Sequence, residues 1–210
     1  MSTVPRSDLS TVTRAALIEA AVHEFAAHGF DGASTRAIAT RAGVHQPQIN
    51  YHFASKLELW RAAVEGLFAE LQADTTEAMA GARSPADQLA AGIRAFVRHA
   101  ARRPELNRIM VRESGAPSER LDWLVARFVR RRFRIVAELW EPLRRDGITV
   151  DLDALTAFYV MLGGGTLLYT NAPEARQVAG FNPEQPDRIE AHAEALVSML
   201  MPGRRRRRGN

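Results

Sequence analysis

From Leu17 onward, apolar residues recur every three or four positions in almost every long segment, and no alternating strand pattern flanked by hairpin turns occurs. That periodicity predicts an all-α chain. Leu17, Ala21 and Phe25, with Ile18 and Val22 beside them, form the inner stripe of a first helix that Gly29 stops. Ser34 or Thr35 then offers a hydroxyl to the free amides of a short helix over 36–42, which Gly43 ends. A second short helix follows over 45–53. It tolerates Pro47 because a first-turn residue has no intrahelical partner for its N–H. A longer helix from 56 to about 79 carries Leu59, Trp60, Ala63, Leu67 and Leu71.

The segment 81–84 is the first boundary, because Ser84, Pro85 and Asp87 match an N-cap, a first-turn proline and a third-position acid. Beyond it the pattern predicts helices over 85–102, 104–114, 118–145, 152–171 and 187–201, with Pro142 bending or ending the third. The connection over 171–187 carries Pro173, Pro183 and Pro186 and reads as an ordered loop with a turn or two.

Charge changes this picture only locally. The net charge is +4, but Arg204 to Arg208 supply five positives, and subtracting them leaves −1 for everything before. A basic protein is therefore not the point; a basic face is. Between Ser34 and Leu57 the cations are Arg36, Arg41 and Lys56, and no acid occurs. Lys56 is also the only lysine in the chain, placed at a helix start where free amides already favour an anion. The absence of cysteine excludes disulfides, thiolate metal sites and a cysteine nucleophile. Residues 1–10 lack the apolar core of a secretory signal, so a cytoplasmic setting is expected.

Two short helices joined at Gly43 and Val44 have the size of a helix-turn-helix, whose second helix lies in the major groove. The side chains fit that use. Gln46, Gln48 and Asn50 carry amides able to pair twice with an adenine edge, and Arg36 can do so with guanine. Thr35, Tyr51, His52 and Lys56 can donate to phosphates.

From Ser34 to Lys56 the sequence resembles the DNA-binding signature of TetR-type transcription regulators, and the resemblance extends over about Thr13 to Leu67. It implies that Arg36, Gln46, Pro47 and Gln48 touch bases while Thr35, His52 and Lys56 hold the backbone. The family usually has tyrosine where this chain has Asn50, which leaves that phosphate contact without its usual residue. The resulting division is a flexible arm over 1–12, a three-helix DNA-binding domain over 13–56 linked by helix 56–80, a larger helical bundle over 81–201 for ligand binding and dimerisation, and an Arg-rich disordered tail over 202–210 able to attract phosphate.

The bundle carries two unusual helices. Residues 154–173 hold no charge, yet Gly163, Gly164, Gly165, Thr166, Thr170 and Asn171 make a poor lipid span; a helix buried on all sides fits, its glycines admitting a close neighbour. The resemblance implies that this helix (152–171) and that over 187–201 form a four-helix dimer interface with their symmetry mates. In the helix over 118–145, Leu121, Leu124, Val125, Phe128, Ile135, Val136 and Leu139 define the apolar stripe, with Arg127, Arg130, Arg131, Arg134 and Trp123 on the wet side. Arg132 falls inside the stripe, where a cation needs a partner. Two partners fit: an acid on a neighbouring helix, or an anionic ligand walled by Phe96, Met110, Phe128 and Phe158.

No zinc-protease motif, nucleophile elbow or dinucleotide loop occurs, and the six histidines lack ligand spacing, so neither an enzyme nor a metal or other cofactor is expected. The expectation is a ligand-responsive regulator that binds double-stranded operator DNA as a homodimer, by family habit a repressor released by a small-molecule effector. The alternative is a helical nucleic-acid-binding or scaffold protein using the arginine-rich stretch over 102–134.

Overall fold

The computed structural model describes residues 6–204, which form an all-helical molecule. The helices are α1 (Arg6–Gly32), α2 (Thr35–Arg41), α3 (Pro47–His52), α4 (Lys56–Ala80), α5 (Pro85–Arg102), α6 (Pro104–Glu113), α7 (Glu119–Leu124), α8 (Arg130–Arg145), α9 (Ala154–Thr170), α10 (Ala172–Ala179) and α11 (Pro186–Leu200). A π turn over Val125–Val129 fuses α7 and α8 into one rod. Two predicted caps, Ser34 and Ser84, are in place, and three further helices are capped in the same way. Ser34, Ser55, Ser84 and Ser118 each accept an amide of the following first turn, and Asp153 does the same for α9. Helix α1 breaks at Gly29, where φ is 72°, and one more turn carries it to Gly32.

Four differences from the expectations have physical causes. Helix α1 begins at Arg6, so the flexible arm expected over 1–12 is helical from that residue on. The connection over 171–187 contains the two-turn α10, which opens on Pro173 in its first turn and closes on left-handed Gly180. Pro142 lies within the last turn of α8, which ends only at Arg145. The chain is ordered through Arg204: Gly203 N–H donates to Ile148 O at 3.1 Å, and Arg204 Nη2 to Asp87 Oδ1 at 2.8 Å. Arg204 thus belongs to the fold rather than to a tail, while Arg205 to Arg208 lie outside the described residues.

Two apolar clusters organise the packing. The first gathers Leu17, Val22 and Phe25 of α1, Ile38 of α2, Ile49 of α3 and Leu59, Trp60 and Leu67 of α4, and adds Leu106, Ile109 and Leu124 from α6 and α7. The second unites α5, α8, α9 and α11 around Val97, Trp140, Tyr169 and Leu196. The 81–84 boundary therefore separates segments of chain but not cores, because α6 and α7 close over the base of the N-terminal unit. Electrostatics reinforces that seam. Arg103, at the α5–α6 corner, forks onto Glu19 of α1 at 2.7 and 2.9 Å.

Helix α9 shows why its charge-free sequence is not a membrane span. Its inner face is buried, and at Gly165 a Cβ would stand 2.7 Å from Phe96 Cε1, so only glycine admits α5 this closely. Its outer face is not covered within the chain: Leu155, Tyr159 and Leu167 are 54%, 62% and 59% exposed. The expected all-round burial is thus met on one side only. Ala191, Ala195 and Met199 of α11 are exposed as well. Among the described residues no helix is long and apolar enough to cross a membrane.

Candidate nucleic-acid interface

Helix α2 starts where Ser34 caps it, and the buried Glu24 of α1 fixes that start by accepting the Ser34 amide at 3.1 Å. The chain then reverses at Gly43, whose φ of +69° is the left-handed geometry that a Cβ disfavours. Val44 N–H, bonded to Ala39 O at 3.0 Å, sets the angle at which α3 leaves. Helix α3 is anchored through one buried side chain, Ile49, with buried Phe53 just beyond its end. Arg14 of α1 lies over the Phe53 ring at 5.0 Å.

That anchoring turns the polar residues outward. Arg36, Gln46, Pro47, Gln48, Asn50 and Tyr51 are exposed, with Tyr51 at 81%, while Thr35, His52 and Lys56 are half-buried. The structure brings the two helices' site residues together, since Gln46 Nε2 donates to Thr35 Oγ1 at 3.4 Å. Gln48 Oε1 accepts the His45 amide at 3.1 Å and so caps its own helix, a role periodicity does not reveal. Tyr51 and His52 pack edge to face at 5.0 Å between centroids. Lys56 donates to Asp31 O at 3.2 Å and sits 5.1 Å from the Phe30 ring centre, which leaves ammonium protons free for a phosphate.

An aromatic ladder, which sequence reading did not find, runs from this face into the bundle. Phe30 meets Trp60 edge-on at 6.1 Å; Trp60 meets Trp123 at 5.6 Å; Trp123 meets Phe128 at 5.3 Å; and Phe128 stacks on Phe68 at 4.2 Å. Trp123 is therefore packed inward rather than on the wet side. The cause is the π turn, whose extra residue puts positions before it about 100° out of phase with positions after it. The missed signal lay in the π turn itself, which no residue pattern announces.

Arg132 ends the ladder. Among the described residues it has no carboxylate partner; Nη2 donates to Phe68 O of α4 at 2.9 Å, and the guanidinium lies 5.2 Å from the Phe68 ring centre. The expected ion pair with a neighbouring acid is absent. Burial, with Arg131 adding repulsion, pushes its pKa down to about 10, so it stays charged at neutral pH. Of the candidate walls, Phe96, Met110 and Phe128 pack against the first cluster, whereas Phe158 lies against Phe133 at 5.7 Å. The other arginines of 102–134 do not make a continuous basic face. Arg112 donates to Ala27 O, Arg120 pairs with Glu113, Arg127 with Glu65, and Arg103 with Glu19. Arg130, Arg131 and Arg134 are exposed, as expected.

A short helix held by one apolar anchor, with amides and cations turned outward beside a left-handed turn, is the arrangement of a helix-turn-helix, the motif whose second helix enters the major groove of double-stranded DNA. Residues 17–63 match the model of bacterial regulatory proteins of the tetR family. No curated protein sequence matches it. The fold is similar over nearly its whole length to solved structures. One is described as AibR in complex with isovaleryl coenzyme A and operator DNA: TM-score 0.74, 19% identity, covering 90% of this chain and 98% of that one. A Clostridium perfringens putative fatty acid metabolism regulator gives 0.71 at 16% identity, covering 90% and 97%. The fatty acid degradation regulator FadR from Bacillus halodurans gives 0.64 at 17%, covering 96% and 97%.

Proposed function

We propose that this protein is a cytoplasmic, homodimeric repressor that holds operator DNA through α3 and lets go when a small molecule binds among α4 to α9; it is not an enzyme. The observation that carries the reading is the outward face of α3, where Gln46, Pro47, Gln48 and Asn50 are all exposed over a single buried isoleucine. Arg36, Gln46, Pro47 and Gln48 contact bases, while Thr35, Tyr51, His52 and Lys56 hold phosphates; Asn50 lies close enough in the sequence to take part in either task. The uncovered faces of α9 and α11 support pairing of two protomers, which sets the reading helices about one helical turn of DNA apart, roughly 34–36 Å. An effector site near Phe96, Met110, Phe128, Arg132 and Phe158 is supported by a partly buried cation that has no carboxylate partner among the described residues. The similar structures include one bound to isovaleryl coenzyme A and two fatty acid regulators, which favours an acyl compound as effector.

Selection of bound duplexes from a random pool tests the DNA half. One enriched palindromic sequence is expected, and Gln46→Ala should lose the preference for it by gel shift while keeping weak binding to random duplexes. Equal affinity for every duplex would refute the reading.

A further inference from the structure

The Arg132 guanidinium is partly buried and has no carboxylate partner among the described residues. It offers five N–H donors, of which one has a protein acceptor, and that acceptor is a neutral backbone carbonyl rather than a carboxylate. A partly buried cation without a counter-ion favours the approach of negative charge, and a planar guanidinium binds a two-oxygen anion best. The surroundings are apolar: the Phe68 face, Phe128 stacked against it, and the stripe of α8 on either side. A lone arginine at the head of an aromatic wall suits a molecule with an anionic end and an apolar body.

We infer that Arg132 is the head-group site for an amphipathic anion, a carboxylate or phosphate on an aliphatic chain, and that this anion competes with the Phe68 carbonyl for the guanidinium. The inference rests on the regulator reading above and names the chemistry of its effector. The competition gives the site its regulatory sense. Phe68 lies midway along α4, the helix that begins at Lys56, and Arg132 ties α8 to its backbone. Drawing the guanidinium toward an incoming anion loosens that tie, and the aromatic ladder carries the displacement through Phe128, Trp123 and Trp60 to Phe30 beneath Lys56. The anion shifts the operator equilibrium only by as much as it prefers the loosened state.

The test uses the full-length protein and three ten-carbon probes: decanoate, decyl phosphate and decan-1-ol. Binding is followed by the fluorescence of the Trp60–Trp123 pair, and operator release by anisotropy of a labelled selected duplex. At least one anion should bind ten-fold or more tighter than the alcohol and release the duplex; which anion does so identifies the head. Arg132→Met should bind anion and alcohol alike and hold the duplex regardless of anion, and Arg132→Lys should recover part of the preference, since it keeps charge without the fork. The head-group ratio separates a binding role from mere stabilisation, which would weaken all three probes together. Alcohol binding as tight as either anion, no anion binding below the micelle limit, or an unchanged anion preference in Arg132→Met would overturn the inference. A head-group preference in a protein that selects no duplex sequence would keep the anion site and remove the regulator reading instead.

Discussion

In the proposed reading Gln48 has two tasks at once. Its carbonyl oxygen caps α3 through the His45 amide, which leaves its two amide protons for a base edge. Replacement by alanine therefore mixes loss of a cap with loss of a contact. Gln48→Glu separates them, because a carboxylate still accepts from His45 but cannot donate: the melting temperature should stay within a degree or two, while operator affinity falls by roughly ten- to hundred-fold, the scale of one base contact. Should Gln48→Glu bind its operator as tightly as the wild type, Gln48 does not donate to a base. Gly43 is a purely conformational case. Gly43→Ala meets no neighbour within 4 Å, so its cost is the left-handed backbone alone, about 1–2 kcal/mol in denaturant unfolding. Residue type and spacing made both positions legible in the sequence. The capping role of Gln48 and the Gln46–Thr35 bond were not, since both depend on rotamers that no pattern encodes.

At the scale of elements, the α4–α5 pair carries a pH dependence. His99 of α5 is buried, with Nδ1 2.7 Å from Asp74 Oδ2 of α4 and Nε2 without a partner. Burial pushes the imidazole below its usual 6.5 despite the adjacent carboxylate. Above pH 6.5 both folded and unfolded chains carry a neutral His99. As pH falls through 6.5 only the unfolded chain gains the proton, so stability declines until the lower folded pKa is reached. A melting curve that drops between pH 7 and 5.5 in the wild type, and drops less in His99→Gln, is the expected result; parallel curves would show that His99 does not govern that window. The acid side is separate. The Arg103 fork holds the Glu19 carboxyl below its usual range, so the stability it lends to the α1 seam persists at neutral pH and is lost only as pH falls through that lowered value. Helix spans and serine caps were readable because each rests on a local rule. The inward turn of Trp123 was not, because a phase shift in the middle of a rod leaves the composition of its stripe unchanged.

For the whole molecule, the deciding surface is the outer face of α9. Leu155, Tyr159 and Leu167 stand one helical turn apart or multiples of it, with Gly163 open between them. Tyr159→Glu would bury two like charges at a two-fold interface, and sedimentation should then show a monomer whose operator affinity drops ten-fold or more, since a single reading head remains. A dimer that survives Tyr159→Glu would place the protomer contact elsewhere. The sequence already pointed to this helix through its lack of charge, but which of its faces is spent inside the chain depended on where α5 and α11 come to rest.

The shallow seating of α3 has an evolutionary consequence. Because one isoleucine secures that helix and its remaining side chains support little else in the protein, most of its letters can drift without endangering folding. If the proposed reading holds, duplicated copies acquire new target promoters through a handful of substitutions in this helix while the rest of the fold is inherited unaltered, so sensor and address diversify at independent rates.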